Sequence, residues 1–310
     1  MDDRKICGVI VTYRCEYDKL LETVTSIAGQ VDHVCLVDNN GTRMPDIQKA
    51  VFEQLNCTII SNLENVGLAK AINQGIRFSA ERHFRQVLLM DQDSRAASNM
   101  VDRLTAAGHL LSGRNKKIGA LGPVIMDRLR GEPFPFLQYK PTHIRKIQPF
   151  EDEVSVPVDY LITSGSLLEI ETLSTVGLMD ESLFIDGIDQ DWCFRAQKAG
   201  YGLYGVSGAF LYHSLGDSGL RLPFTNRVVF LHQPERQYYI IRNRLWLYRR
   251  HYIPFNYKIH DALRVVFRLF FFSILAPRRL ENARMMIRGI VDGLSGCPKK
   301  NRRTQLKRTV

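Results

Sequence analysis

The residues best suited to chemistry are Asp91-Gln92-Asp93-Ser94, which end the apolar run Gln86 to Met90 abruptly. Two carboxylates one residue apart repel each other unless something positive joins them. A divalent cation is the simplest partner. Mg2+ or Mn2+ takes hard oxygen ligands and commonly shares one or two carboxylates with substrate phosphates, so the triplet reads as a metal and diphosphate anchor. Aspartate and serine also form ordinary turns, and the same four residues would close a strand without any ligand.

Other candidates lie on both sides of the triplet. Asp38-Asn39 ends a second apolar run and reads either as a base or ribose contact or as a strand terminator. Asn65-Val66-Gly67 opens a helical stretch, where free N–H groups and a close-approach glycine favour an anion, although an asparagine there also serves as a plain cap. Leu183 to Arg195 (LFIDGIDQDWCFR) holds Asp186, Asp189 and Asp191 at the start of a helix, suited to a general base or to capping. His213 follows the apolar run Ala209 to Tyr212 and is either a ligand or a hydrogen-bonded structural residue.

These residues need a scaffold that brings strand ends together. Cys7–Tyr13, Val34–Val37, Cys57–Ser61 and Gln86–Met90 are continuous apolar runs, as expected for central strands of a parallel sheet covered on both faces. Apolar residues at helical spacing over 18–28 and 68–81 supply the crossovers, which makes the first third α/β. Ligands of such sheets sit beyond the carboxyl ends of the strands, and that is where Tyr13, Asp38, Asn39, Asn65 and the Asp91 turn fall. Residues 119–160 carry six prolines and no clear periodicity. A second ordered block spans 158–213, followed by a helical basic segment from about Arg227.

Charge is unevenly spread. Residues 221–310 hold 20 Lys and Arg against 4 Asp and Glu, or +16, which leaves −6 on the first 220 residues of a chain whose net charge is +10. The division expected is a catalytic domain over 1–225 and a basic helical region over 226–310 that faces something anionic. Residues 261–276 are too short and too interrupted to span a bilayer, but place Arg264 and Arg268 on one face, with Phe267, Phe270, Phe271 and Ile274 free to enter the acyl boundary. A membrane surface is therefore favoured over nucleic acid, for which no binding module is present. A buried core helix is the alternative. Six scattered cysteines and an N-terminus beginning with two acids suggest a reduced, cytoplasmic setting without an export signal.

In order along the chain, VIVTY (9–13), VDNNGT (37–42), NVGLAKAINQGI (65–76), DQDS (91–94), SGSLLE (164–169), GLMDESLFIDGIDQDWCFRAQKAGY (177–201) and YHSLGD (212–217) resemble the inverting family 2 glycosyltransferases, and within them bacterial rhamnosyltransferases of surface polysaccharides. The resemblance implies a GT-A fold: a Rossmann-like α/β sheet with helices on both faces; the basic C-terminal helical region, read from its residues as peripheral on the inner face of the cell membrane, fits that setting. It implies a nucleotide-diphosphate-sugar donor held by Thr12, Tyr13, Asp38, Asn39, Asn65, Gly67, Lys70, Asp91 and Gln92. Asp93 and His213 would hold Mg2+ or Mn2+, and Asp189 would be the catalytic base. Ser164, Gly165, Asp191, Trp192 and Arg195 would shape the sugar and acceptor pocket. The donor implied is dTDP-rhamnose and the acceptor a lipid-linked saccharide; a UDP-sugar is the alternative donor. A nucleotidyltransferase would need a glycine-rich phosphate loop near the first strand, which VIVTYRCE lacks, and a non-catalytic surface-binding protein would turn over no nucleotide sugar.

Overall fold

A computed structural model describes residues 5–128, 131–149, 154–213, 218–221 and 228–296. Strands β1 (Ile6–Thr12), β2 (His33–Asp38), β3 (Cys57–Ser61) and β4 (Gln86–Asp91) alternate with helices α1 (Tyr17–Ala28), α2 (Asp46–Gln54) and α3 (Leu68–Glu81). All four strands run parallel, and pairing sets Thr12 against Asp38 and Val11 against Asp91, so their carboxyl ends are level. β1 is buried along its whole length. Cys7, Val9 and Val11 enter one core with Ala71, Ile72 and Ile76 of α3, while Ile6 and Ile10 enter the other with Leu20, Val24 and Ile27 of α1. A strand dressed on both faces must be apolar throughout, which is why these runs lack alternation.

The chain continues through β5 (Arg95–Ala96), α4 (Met100–Gly113), β6 (Ile118–Asp127), a hairpin of β7 (Phe136–Tyr139) and β8 (Ile144–Ile147), β9 (Ser155–Val158), β10 (Ser166–Glu169), α5 (Ile170–Val176), α6 (Ile188–Lys198) and β11 (Gly202–His213). The main sheet has the order β3-β2-β1-β4-β10-β6-β11-β5, with β9 also on β11. β10 is antiparallel to both β4 and β6 and fills the gap between them. β11 runs parallel to β6, with a register shift between Val206 and Phe210. Beyond the shift, Leu211 and His213 point into the protein and Tyr212 points out.

The C-terminal part holds the ribbon β12 (Ser218–Arg221) and β13 (Val228–Leu231), then α7 (Pro234–Tyr248), α8 (Phe255–Ile274) and α9 (Arg279–Ser295). The boundary expected at 225/226 falls outside the described residues, as do the acids at the N-terminus and residues 214–217 of the YHSLGD stretch. Helix α7 is no loose tail. Its buried Ile240, Ile241, Asn243, Trp246 and Leu247 pack into the body, with Trp246 joining the core that contains Val9 and Trp192. No helix among the described residues is long and apolar enough to cross a membrane.

Candidate active site

The strand ends assemble the expected residues at one edge of the sheet. Asp91, Asp93 and His213 each offer a ligand atom, and these atoms lie within 4.8 Å of one another. His213 Nε2 is 3.8 Å from Asp91 Oδ2, and its Nδ1 is 3.7 Å from Asp93 Oδ1. Partial burial raises the Asp91 carboxyl above the usual range, opposed by His213 and reinforced by Asp93. Two carboxylates and one imidazole, converging from β4 and β11, form a donor set that fits a divalent cation with positions left for substrate oxygens.

A hydroxyl relay fixes this cluster. Ser94 Oγ lies 2.9 Å from His213 Nδ1 and 2.8 Å from Ser164 Oγ, and Ser164 Oγ accepts the Asp91 N–H at 3.0 Å. Both serines are buried. Ser164 therefore braces Asp91 directly and His213 through Ser94. Gly165 provides the turn into β10: it has φ +82°, and a Cβ there would lie 2.5 Å from the Pro123 ring.

The nucleotide candidates divide into ligand-facing and structural groups. Asp38 is fully buried; its Oδ1 accepts from Thr12 Oγ1 and from the N–H and Nδ2 of Asn40, while its Oδ2 has no hydrogen-bond partner among the described residues. A buried carboxylate oxygen left in that state is costly, and it marks Asp38 as the position prepared for a ligand donor. Asn39, by contrast, spends its amide on Asn65 Oδ1, Asn62 Nδ2 and the Val66 N–H, which ties the end of β2 to the next loop. Gln92 pairs reciprocally with the backbone of Tyr13, at 2.7 and 3.1 Å, and locks the Asp91 turn to the end of β1. Tyr13, Asn65 and Lys70 remain exposed beside these anchors.

Gly67, with φ +86°, starts α3 beneath the Phe184 ring, where a Cβ would sit 2.5 Å from the ring. Phe184 itself has φ +64° and stacks on Tyr239 of α7 at 4.9 Å. The loop carrying Phe184 leads into α6, whose first turn holds Asp189. Burial pushes the Asp189 carboxyl up to about 6, against the pull of Arg244. A carboxyl so placed gives up its proton near neutrality, as a general base must.

Helix α7 clamps that loop. Asn243 Nδ2 donates to the carbonyls of Leu183, Ile185 and Asp186, Arg242 to those of Ser182 and Leu183, and Arg236 forks onto Asp186 with two 3.0 Å bonds. Arg250 joins Asp180, at 2.7 Å, to Asp191, which also binds Arg195 Nε at 2.9 Å and Tyr252. Asp191, Trp192 and Arg195 are turned inward, behind the Asp189 loop. Asp191 and Trp192 are almost wholly inaccessible; the Trp192 indole donates to Gly177 O, and Arg195 to the carbonyls of Val176, Gly177 and Leu178. They hold the turn that carries Asp189 from behind. The α7 residues were missed as site residues; the hint was the i, i+3, i+7 row Ile240, Asn243 and Leu247, in which one amide sits on an apolar face.

A relative settles the lineage: the dTDP-rhamnosyl transferase RfbF of Shigella flexneri is 30% identical over 295 residues, which cover 94% of this chain and 96% of that one. The family profile "Glycosyl transferase family 2" matches residues 8–108. The chain belongs to the family 2 glycosyltransferases. Among solved structures, this glycosyltransferase is similar to GalNAc-T7 with UDP, GalNAc and Mn2+ (TM-score 0.56, 15% identity, 69% of this chain and 45% of that one). S. aureus TarS 1-349 in complex with UDP-GlcNAc gives a TM-score of 0.55 at 17% identity, over 95% of this chain and 82% of that one, and full TarS is spanned to 49% of its length. The glycosyltransferase therefore has the GT-A sheet expected from its motifs.

Proposed function

We propose that this glycosyltransferase moves L-rhamnose from dTDP-rhamnose to a saccharide acceptor, with inversion at the anomeric carbon, using Mg2+ or Mn2+. The acceptor is taken to be lipid-linked and presented at the cytoplasmic membrane face during surface-polysaccharide assembly. The observation that carries the reading is the Asp91, Asp93 and His213 cluster at the carboxyl edge of the sheet, level with the unsatisfied oxygen of Asp38. The rhamnosyl donor is supported by the likeness to RfbF along nearly the whole of both chains.

Each group has a place in the reaction. Asp38 takes a donor N–H or hydroxyl of the nucleoside, with Thr12 and Asn40 orienting its other oxygen. The N-terminal turn of α3, with Gly67 and Lys70, offers positive potential to the donor's phosphates. Asp91, Asp93 and His213 would hold the divalent ion, which when bound offsets the charge that grows on the departing nucleoside diphosphate. Asp189 accepts the acceptor hydroxyl proton as that oxygen attacks the anomeric carbon from the face opposite the leaving group. The α7 clamp keeps Asp189 in one position through that step.

Purified protein should release dTDP from dTDP-rhamnose in the presence of acceptor and Mn2+ or Mg2+, and chelation should stop it. Turnover of UDP-sugars with none of dTDP-rhamnose would overturn the donor assignment. Undiminished turnover after exhaustive chelation would overturn the metal role.

A further inference from the structure

Helix α8 is dressed the wrong way round for a surface helix in water. Phe255, Ile259, Leu263, Val266, Phe270 and Ile274 recur every three or four residues and form an exposed row along its 20 residues, with Leu263 at 66% and Phe270 at 57% exposure. At about 1.5 Å per residue the row is roughly 30 Å long. The opposite side is not spare surface either: Tyr257, Asp261, Phe271 and Phe272 are buried. The arginines expected to reach toward lipid turn back instead. Arg264 donates to the Tyr139 hydroxyl at 3.2 Å and Arg268 to Gln237 Oε1 at 2.9 Å, while Phe271 lies in the core. Helix α9, packed on α8, carries a second exposed apolar row from Leu280 to Leu294. Soluble monomers rarely display so long an apolar surface without a use for it.

Charge decides what covers it. Residues 255–310 hold 13 Lys and Arg against 3 Asp and Glu, which equals the entire net charge of +10. Six of those cations lie in residues 297–310, where there is no acid. Arg279 and Arg284 are exposed on α9 itself. Self-association through this face would set two such segments against each other, at a cost in like-charge repulsion. An anionic bilayer reverses the sign: acyl boundary for the apolar rows, headgroups for the arginines and lysines.

We propose that α8 and α9 dock the protein flat on an anionic lipid bilayer through the row from Phe255 to Ile274, with the basic residues around it as the electrostatic half of the contact. The inner side of α8 remains bonded to the protein body, so docking needs no rearrangement of the helix. Asp261, on that inner side, accepts the Tyr248 hydroxyl at 2.7 Å and pairs with Arg244, the same arginine that acts on Asp189. Asp261 thus ties the inner side of α8 to an arginine whose charge is felt at Asp189.

Flotation of the full chain with phosphatidylglycerol/phosphatidylcholine vesicles tests this, against pure phosphatidylcholine and at low and high salt. The double variant Leu263→Ser/Phe270→Ser keeps the charge unchanged and alters only exposed side chains. It should lose about tenfold or more in partition to anionic vesicles while its melting temperature and dTDP binding stay as in the parent. Unchanged partition of the variant would show that the basic residues alone bind lipid and would overturn the docking face. No flotation of the parent, or a parent dimer that the two serines dissociate, would overturn it in favour of a protein occupant.

Discussion

Ser94 Oγ holds His213 Nδ1 at 2.9 Å across 119 residues of sequence. With that nitrogen engaged, Nε2 is the one left facing Asp91. Partners of this kind fix a ligand's ring orientation and tautomer, and their loss commonly weakens metal binding by about 10- to 100-fold. Ser94→Ala is accordingly expected to raise the Mn2+ concentration needed for half-maximal turnover by about tenfold, with little change in maximal rate at saturating metal. Metal titration of turnover checks it; an unchanged midpoint would assign the imidazole's position to some other contact.

Asp189→Asn should abolish transfer while leaving dTDP affinity, measured by calorimetry, within about twofold of the parent, because the base acts on the acceptor and not on the nucleotide. Equal loss of donor affinity would contradict that separation.

The same carboxyl sets a pH dependence. With its folded value pushed up to about 6, turnover should rise through that pH as Asp189 ionises. The stability effect has the opposite direction. A raised carboxyl stabilises the fold while protonated, and this contribution fades as pH climbs from the unfolded value, near 4, through about 6. Asp189→Asn should thus gain melting temperature relative to the parent on going from pH 4.5 to pH 7.5. A constant difference between the two proteins across that window would show that the carboxyl titrates elsewhere.

Asp38→Ala removes the only carboxylate at the end of β2, including the oxygen that no protein group satisfies. Hydrogen bonds to charged groups contribute about 1.5–3 kcal/mol, which corresponds to a loss of dTDP affinity of about 10- to 100-fold. Thermal shift with dTDP reads this directly. A variant stabilised by dTDP as strongly as the parent would place the nucleoside elsewhere.

Arg250→Met takes the cation from buried Asp180 and leaves Asp191 to Arg195 and Tyr252 alone. Although burial opposes it, Arg250 holds the Asp180 carboxyl below its usual range, so the paired charge matters to the folded state. Breaking a buried network from one side costs about 3–5 kcal/mol. Urea unfolding should register a loss of that order, with partial recovery in Arg250→Lys.

The donor half of this protein is written locally. Strands β1 to β4 are covered on both faces, so their runs are uniformly apolar and end sharply at Asp38 and Asp91. Helix α4 is legible in the same way, since its buried Met100, Leu104, Ala107 and Leu111 follow helical spacing. β10 is only four residues long, and nothing in its own composition says that it separates β4 from β6. The larger misreading concerned the arginines of α7. Charge in a helix suggests solvent or headgroups, yet Arg242 and Arg244, like Arg250 just past the end of the helix, face carbonyls, a tyrosine and carboxylates contributed from distant positions. Such partnerships leave no periodicity to read. The basic segment is also where the support of the Asp189 loop begins, since Arg236, Arg242 and Asn243 all bond to it.

The central position of β10 has a bearing on biogenesis. As the chain leaves the ribosome, residues 8–108 emerge first, carrying the part that matches the family profile, with Asp38, Asp91 and Asp93 but without Ser164, Asp189 or His213. Until residue 166 is available, β4 stands as a long apolar edge with unpaired backbone, an invitation to aggregation. A message or protease cut in the middle of this protein would therefore yield inclusion-prone debris and not a nucleotide-binding fragment, and chaperone demand should peak while the first half waits for the second.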